Sequence, residues 1–137
     1  MWILDTSVAV KWFFTDESGH ARAREVLNRL VERPDEFAVP LHFFFELAAV
    51  LVRKSGFQKQ FVHESLIAVY QLGIPTFEIG EDLSGEAIAM ACRYRVSYYD
   101  ALFTALAKNL KGIWLTADQK ALKRTPPDFC RHLTAFV

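Results

Sequence analysis

Three features of the chain predict an α/β fold built on a central, mainly parallel sheet. Short apolar segments at 2–4, 37–39, 74–79 and 113–116 alternate with helical segments that come singly or in pairs. That alternation puts crossover helices on both faces of a parallel sheet, which makes a three-layer α/β/α sandwich. The 137 residues contain no repeat, low-complexity tract or linker, so a single domain spanning 1–137 is expected. Finally, acidic residues interrupt apolar stretches where strands hand over to helices, and open parallel sheets place their ligands at those strand ends.

The elements follow in order. Trp2-Ile3-Leu4 reads as a strand, Asp5-Thr6-Ser7 offers helix-capping side chains, and Val8 to Phe14 reads as a short helix. After the loop Thr15–Gly19, Ala23, Val26, Leu27, Leu30 and Val31 follow helical spacing between His20 and Glu32. Pro34 stops that helix, Phe37-Ala38-Val39 is a second strand, and Pro40 is expected to start a helix running from Leu41 to Lys54. A helix from Gln58 to Leu72, a strand from Ile74 to Ile79, and helices over 84–93 and 99–110 come next. Ile113–Thr116 is the fourth strand, Asp118 to Lys123 a short helix, and His132 to Phe136 a candidate last strand after Pro126-Pro127.

Composition narrows the function classes. Hydrophobic residues make up 52% of the chain and 12 are Phe, more apolar side chain than one small core readily hides, so part of the surplus is expected at a subunit interface. Two cysteines make neither a disulfide framework nor a metal knuckle, and Cys92, in the apolar run from Ala87, is expected to be a buried inert thiol. With no basic n-region and no apolar run long enough to span a bilayer, a cytoplasmic protein without membrane attachment is expected. Sixteen basic residues balance sixteen acidic ones; with four acids engaged by metal, 16 cations would face 12 acids, a surplus of 4 that permits phosphate binding.

Four acids define the candidate site: Asp5, Glu46, Asp100 and Asp118. Capping a helix would by itself account for Asp5 or for Asp118. Asp100 lies in the apolar run Tyr98–Leu106, with Thr104 one turn on. Glu46 sits mid-helix between Phe43-Phe44-Phe45 and Leu47-Ala48-Ala49-Val50-Leu51, where an ion pair with Arg53 is the alternative. Carboxylates gathered beside a core repel one another and resist burial, and a hard divalent cation, Mg²⁺ or Mn²⁺, removes both penalties.

The ordered set Asp5-Thr6-Ser7-Val8-Ala9-Val10-Lys11-Trp12-Phe13, Pro40 to Arg53 with Glu46, Ser97-Tyr98-Tyr99-Asp100-Ala101-Leu102 and Leu115-Thr116-Ala117-Asp118 resembles PIN-domain proteins, particularly VapC-type toxins of prokaryotic toxin–antitoxin pairs. The resemblance spans essentially the whole chain. It implies a PIN-like sandwich and Mg²⁺- or Mn²⁺-dependent endoribonuclease activity, with Asp5, Glu46, Asp100 and Asp118 as catalytic and metal-holding acids and Asp5 and Asp100 foremost as ligands. Ser7 and Thr116 match accessory polar positions, although many relatives carry Asn where Ser7 stands. It further implies an RNA substrate, a small antitoxin partner and a homodimer. A non-catalytic PIN-like RNA-binding module is the alternative. A receiver-type phospho-acceptor domain would need paired acids after the first strand and an Asp after the third, and a haloacid-dehalogenase phosphatase would need Asp-x-Asp; Asp5 stands alone. Lys11, Arg53, Lys54, Lys120, Lys123 and Arg124 follow the acids in sequence and are candidates for holding an RNA backbone, each with a solvated helix face as its alternative. His20, His42, His63 and His132 have no metal-ligand spacing and read as structural.

Overall fold

A computed structural model describes residues 1–137. Its elements are β1 (Trp2–Leu4), α1 (Thr6–Val10), α2 (His20–Glu32), β2 (Phe37–Pro40), α3 (His42–Lys54), α4 (Lys59–Gln71), β3 (Thr76–Phe77), α5 (Glu81–Tyr94), α6 (Tyr98–Asn109), β4 (Ile113–Thr116), α7 (Gln119–Arg124) and β5 (Cys130–His132). All five strands are parallel, in the order β3-β2-β1-β4-β5. The helices cover this sheet as a three-layer α/β/α sandwich. Helix α6 lies against β1, β2 and β4 with α5 packed on it, while α1 meets α3 and β4, and α4 packs on α3.

The central strands carry apolar residues on both faces because both faces are covered. Ile3, Leu4, Phe37, Ala38, Val39, Trp114 and Leu115 are fully buried. The order of strand addition reverses between β1 and β4, since β1 leads out to β2 and β3 on one side and pairs with β4 on the other. That is the switch point where a crevice opens beyond the strand ends. Gly112 makes the β1–β4 pairing possible: a Cβ there would lie 2.6 Å from the Met1 carbonyl oxygen, which accepts the Ile113 N–H at 3.0 Å.

Several boundaries differ from the sequence expectation. Helix α1 begins at Thr6 and ends at Val10, because Asp5 caps it through the Ser7 N–H; residues 11–13 continue as turns rather than helix. Pro40 closes β2 instead of opening α3. Strand β3 is only Thr76–Phe77 and lies exposed at the sheet edge, where Pro75 brings no N–H to extend the ladder. Helix α5 starts at Glu81, whose charge and that of Asp82 suit a helix N-terminus. The last strand is Cys130–His132, not 132–136, because His132 Nδ1 accepts the Thr134 N–H and turns Leu133–Ala135 into a 3₁₀ turn. Cys92 is exposed, contrary to expectation, while Cys130 is buried. Leu83 and Ala87 set the inward face of α5, and Cys92 lies five residues beyond Ala87, about 140° around the helix. No helix is long and apolar enough to cross a membrane.

Candidate active site

Asp5 leaves the end of β1 and turns back over the sheet. Its backbone N–H still pairs with the Leu115 carbonyl at 3.0 Å, so β1 and β4 hold its position from below. The side chain is 7% exposed and surrounded by donors. Oδ2 accepts from the Ser7 N–H (3.2 Å), from the Ser7 hydroxyl at short range and from Thr116 Oγ1 (2.9 Å), and Oδ1 accepts from Trp114 Nε1 (3.2 Å). Burial pushes this carboxyl above its ordinary value while the hydrogen bonds from Ser7, Thr116 and Trp114 pull it down. The same hydroxyls tie the two strand ends together. Ser7 Oγ accepts from the Ala117 N–H (2.9 Å) and Thr116 Oγ1 from the Asp118 N–H (3.0 Å). Asp118 in turn caps α7 through the Lys120 N–H (2.9 Å).

The other two acids come from helices. Glu46, half-buried on α3, accepts from Thr6 Oγ1 at 3.4 Å. It makes no ion pair with Arg53; its near neighbour is His42, one turn earlier, with Nε2 at 3.4 Å. Burial lowers the His42 imidazole to about 4, so this contact is not between charges. Nε2 faces two acceptors, the Tyr99 carbonyl at 3.1 Å and Glu46, and therefore carries the ring proton. Asp100 stands in the first turn of α6, capped by Ser97 Oγ, which accepts the Asp100 N–H at 3.0 Å.

Asp5, Ser7, Lys11, Glu46, Asp100 and Asp118 line one cleft of about 340 Å³ at the switch point. Burial raises Glu46 to about 7, with repulsion from Asp5 and Asp100 adding to the shift. Asp100 rises to about 6 by burial and by repulsion from Asp5 and Asp118. Lys11 and Lys54 are the two cations of this wall, and both pair with Glu17, which also lines it, Lys11 at 3.1 Å. Neither lysine pairs with Asp5, Glu46, Asp100 or Asp118, so these four acids have no lysine or arginine partner.

Thr116 is fully buried behind the cleft and acts on it through Asp5. Arg53 is exposed and does not line the cleft, and Lys120 lines a neighbouring one. Sequence reasoning missed Trp114, Thr6, His42 and Glu17. His42 was accessible from its spacing four residues before Glu46. Trp114 had no local signal, because its bond to Asp5 spans 109 positions. Its indole stacks on Phe103 (5.5 Å), which packs on His42 (4.7 Å), so one aromatic column braces both Asp5 and the helix carrying Glu46.

The donor set is oxygen only: four carboxylates with flanking hydroxyls, which fits a hard divalent ion. No three of these groups already converge on one point, as expected of carboxylates that repel one another. A model of the PIN domain matches residues 2–126. The chain belongs to the PIN-domain family. In fold it is similar to VapC20 of Mycobacterium tuberculosis, described as a sarcin–ricin loop cleaving toxin (TM-score 0.73, 16% identity, covering 90% of this chain and 94% of that one). It is likewise similar to a Pyrobaculum aerophilum protein (0.73, 13%, 97% and 83%) and to VapBC2 of Rickettsia felis bound to a promoter DNA fragment (0.68, 15%, 96% and 97%). No curated protein matches significantly. The likeness to these structures is one of PIN fold.

Proposed function

We propose that this PIN domain is a Mg²⁺- or Mn²⁺-dependent endoribonuclease and the toxin of a VapBC-type pair, acting in the cytoplasm. The observation that carries the reading is the convergence of Asp5, Glu46, Asp100 and Asp118 on one cleft in which none of the four pairs with a lysine or arginine of the chain. A module that merely binds RNA has no need of uncompensated acids facing its ligand's phosphates, so the complete quartet favours catalysis over binding alone.

Asp5 and Asp100 are the acids we assign to hold the ion, with Glu46 and Asp118 completing the oxygen set. When bound, a divalent ion relieves charge on the phosphate oxygens and makes a water acidic enough to attack. The chain's own work is positional. Ser7, Thr116 and Trp114 lock the Asp5 carboxylate in one orientation. Thr6 and His42 flank Glu46, whose carboxylate faces the same cleft and can orient a water there.

Similar folds occur in solved toxin–antitoxin complexes from Klebsiella pneumoniae and Salmonella typhimurium, which supports a small antitoxin as partner. Its cheapest means of inhibition is an Arg or Lys side chain placed among the four acids. A homodimer is the expected assembly, supported by Phe45, Phe57 and Tyr70, which stay at least half exposed on or beside α3 and α4. The decisive experiment incubates purified protein with RNA oligonucleotides in Mn²⁺, in Mg²⁺ and in EDTA. Cleavage with either ion and none in EDTA is the expected result. Intact RNA under all three conditions, with no growth arrest on expression, sinks the toxin reading.

A further inference from the structure

Of the cations that follow the acids in sequence, two, Lys11 and Lys54, line the acidic cleft. Lys11 and Lys54 are both held by Glu17, and Arg53 lines neither cleft. A second cleft, of about 400 Å³, opens beside the acidic one and is lined by Arg95, Ser97, Asp100, Lys120, Lys123 and Arg124. Asp100 is common to both walls. Six lysine or arginine ion pairs form within the chain and none of them uses Arg95, Lys120, Lys123 or Arg124.

The cations are also placed rather than merely scattered. Arg95 ends α5 in the left-handed region, at φ 56° and ψ 44°, a conformation uncommon for a side chain of this kind. Its carbonyl accepts a hydrogen bond from Arg124 Nη1 at 2.9 Å, which joins the end of α5 to the end of α7. Four cations facing one carboxylate across a concave surface repel one another unless an anion lies between them. The chain has 16 acids against 16 basic residues, so this excess is local and not a matter of net charge.

We propose that this cleft binds the sugar–phosphate backbone of the RNA strand on one side of the bond to be cut, the strand passing from the acidic cleft over Asp100 and along α7. The inference rests on the nuclease reading and adds the substrate's path to it. Arg95 and Arg124 suit bidentate contact with phosphate, and Lys120 and Lys123 act as point charges. Because phosphates carry no sequence information, this subsite contributes affinity without base preference.

The test measures anisotropy of labelled single-stranded RNA with protein carrying Asp5→Asn, so that the RNA stays intact, across a salt series. Adding Lys120→Gln and Lys123→Gln is expected to weaken binding roughly tenfold at 0.1 M salt, by the same factor for oligo-A and oligo-U. It should also flatten the salt dependence by about 1.4 in log–log slope. Arg24→Gln, on the exposed face of α2, should leave binding unchanged. Arg95→Asn, which the left-handed backbone tolerates, removes one cation, should weaken binding in the same base-independent way with a slope change of about 0.7, and serves if the double variant folds poorly. Cleavage by the chain with Asp5 intact is scored separately. If the chain cleaves RNA and the cleft variants bind with unaltered affinity and slope, the path is overturned and the nuclease reading stands. Cleft-dependent binding without cleavage supports the backbone site and removes the nuclease. No binding and no cleavage overturns both.

Discussion

The two adjoining clefts handle charge in opposite ways. In the acidic cleft, Asp5 receives four donated hydrogen bonds while Glu46 receives one weak bond, and burial, with repulsion among the acids adding to it, drives Glu46 and Asp100 upward. In the basic cleft the cations have no carboxylate among them except Asp100. The acids are rooted in strand ends and helices around the centre of the sheet, so the backbone limits how far they can move apart. The cations lie exposed on α7 and the α5 terminus, with Arg124 tied to the Arg95 carbonyl and the lysines unpaired. Rigid charge suits an ion and a reacting bond, and adaptable charge suits a backbone.

Asp100 belongs to both clefts, so its substitution tests the contrast most severely. Asp100→Asn is expected to reduce RNA cleavage to background in Mn²⁺ while the circular dichroism spectrum stays that of the parent. It should also lower the proton affinity of Glu46 by removing a facing charge. Residual cleavage near the parent rate counts against Asp100 as an ion-holding residue.

Thr116→Val keeps the buried volume at the end of β4 but withdraws a donor from Asp5 and an acceptor from the Asp118 N–H. The expected loss is about 10- to 100-fold in ion affinity or activity, as for other partners that orient a ligand. A Mn²⁺ titration of activity reads it. An unchanged half-saturating concentration and rate would make the Asp5 network merely structural.

Ion binding should stabilise the fold by compensating the acids. At a hundred times its Kd, Mn²⁺ is expected to add about 2.7 kcal/mol, visible as a rise in melting temperature that Asp5→Asn diminishes. A flat melting temperature through millimolar Mn²⁺ contradicts the assignment of the acidic cleft as the ion site.

The smallest effect is on pH. Glu46 rises from 4.5 to about 7 and Asp100 from 3.8 to about 6, so between those limits the folded chain binds more protons than the unfolded one. The stability these groups confer at low pH is therefore lost as pH climbs from about 4 to about 7. His42, lowered from 6.5 to about 4, works the other way over part of that range. In EDTA the melting temperature should fall between pH 5 and 8, and Glu46→Gln should shallow the fall. If the two curves run parallel, Glu46 is not the strained carboxyl.

The order of elements, the parallel sheet and the four acids were legible in the sequence because each depends on local pattern. Apolar runs of strand length, helical spacing in α2, and acids at the ends of Ile3-Leu4 and Leu115-Thr116 are all readable within a few residues. Boundaries were less so, since Pro40 and His132 owe their roles to hydrogen bonds made or refused by the backbone. Cys92 was misplaced because an apolar run does not state which face of α5 turns inward.

What only tertiary structure decided was pairing across long separations. That Glu17 takes both Lys11 and Lys54, that Trp114 reaches Asp5, that Arg53 stands apart and Arg95 joins Lys120, Lys123 and Arg124 in one cleft all follow from packing of distant segments. A sequence shows that a residue is charged. Whether that charge is neutralised, strained or offered to a ligand depends on which side chains the fold brings within a few ångströms, because electrostatic energy depends on separation in space and on burial, not on position along the chain.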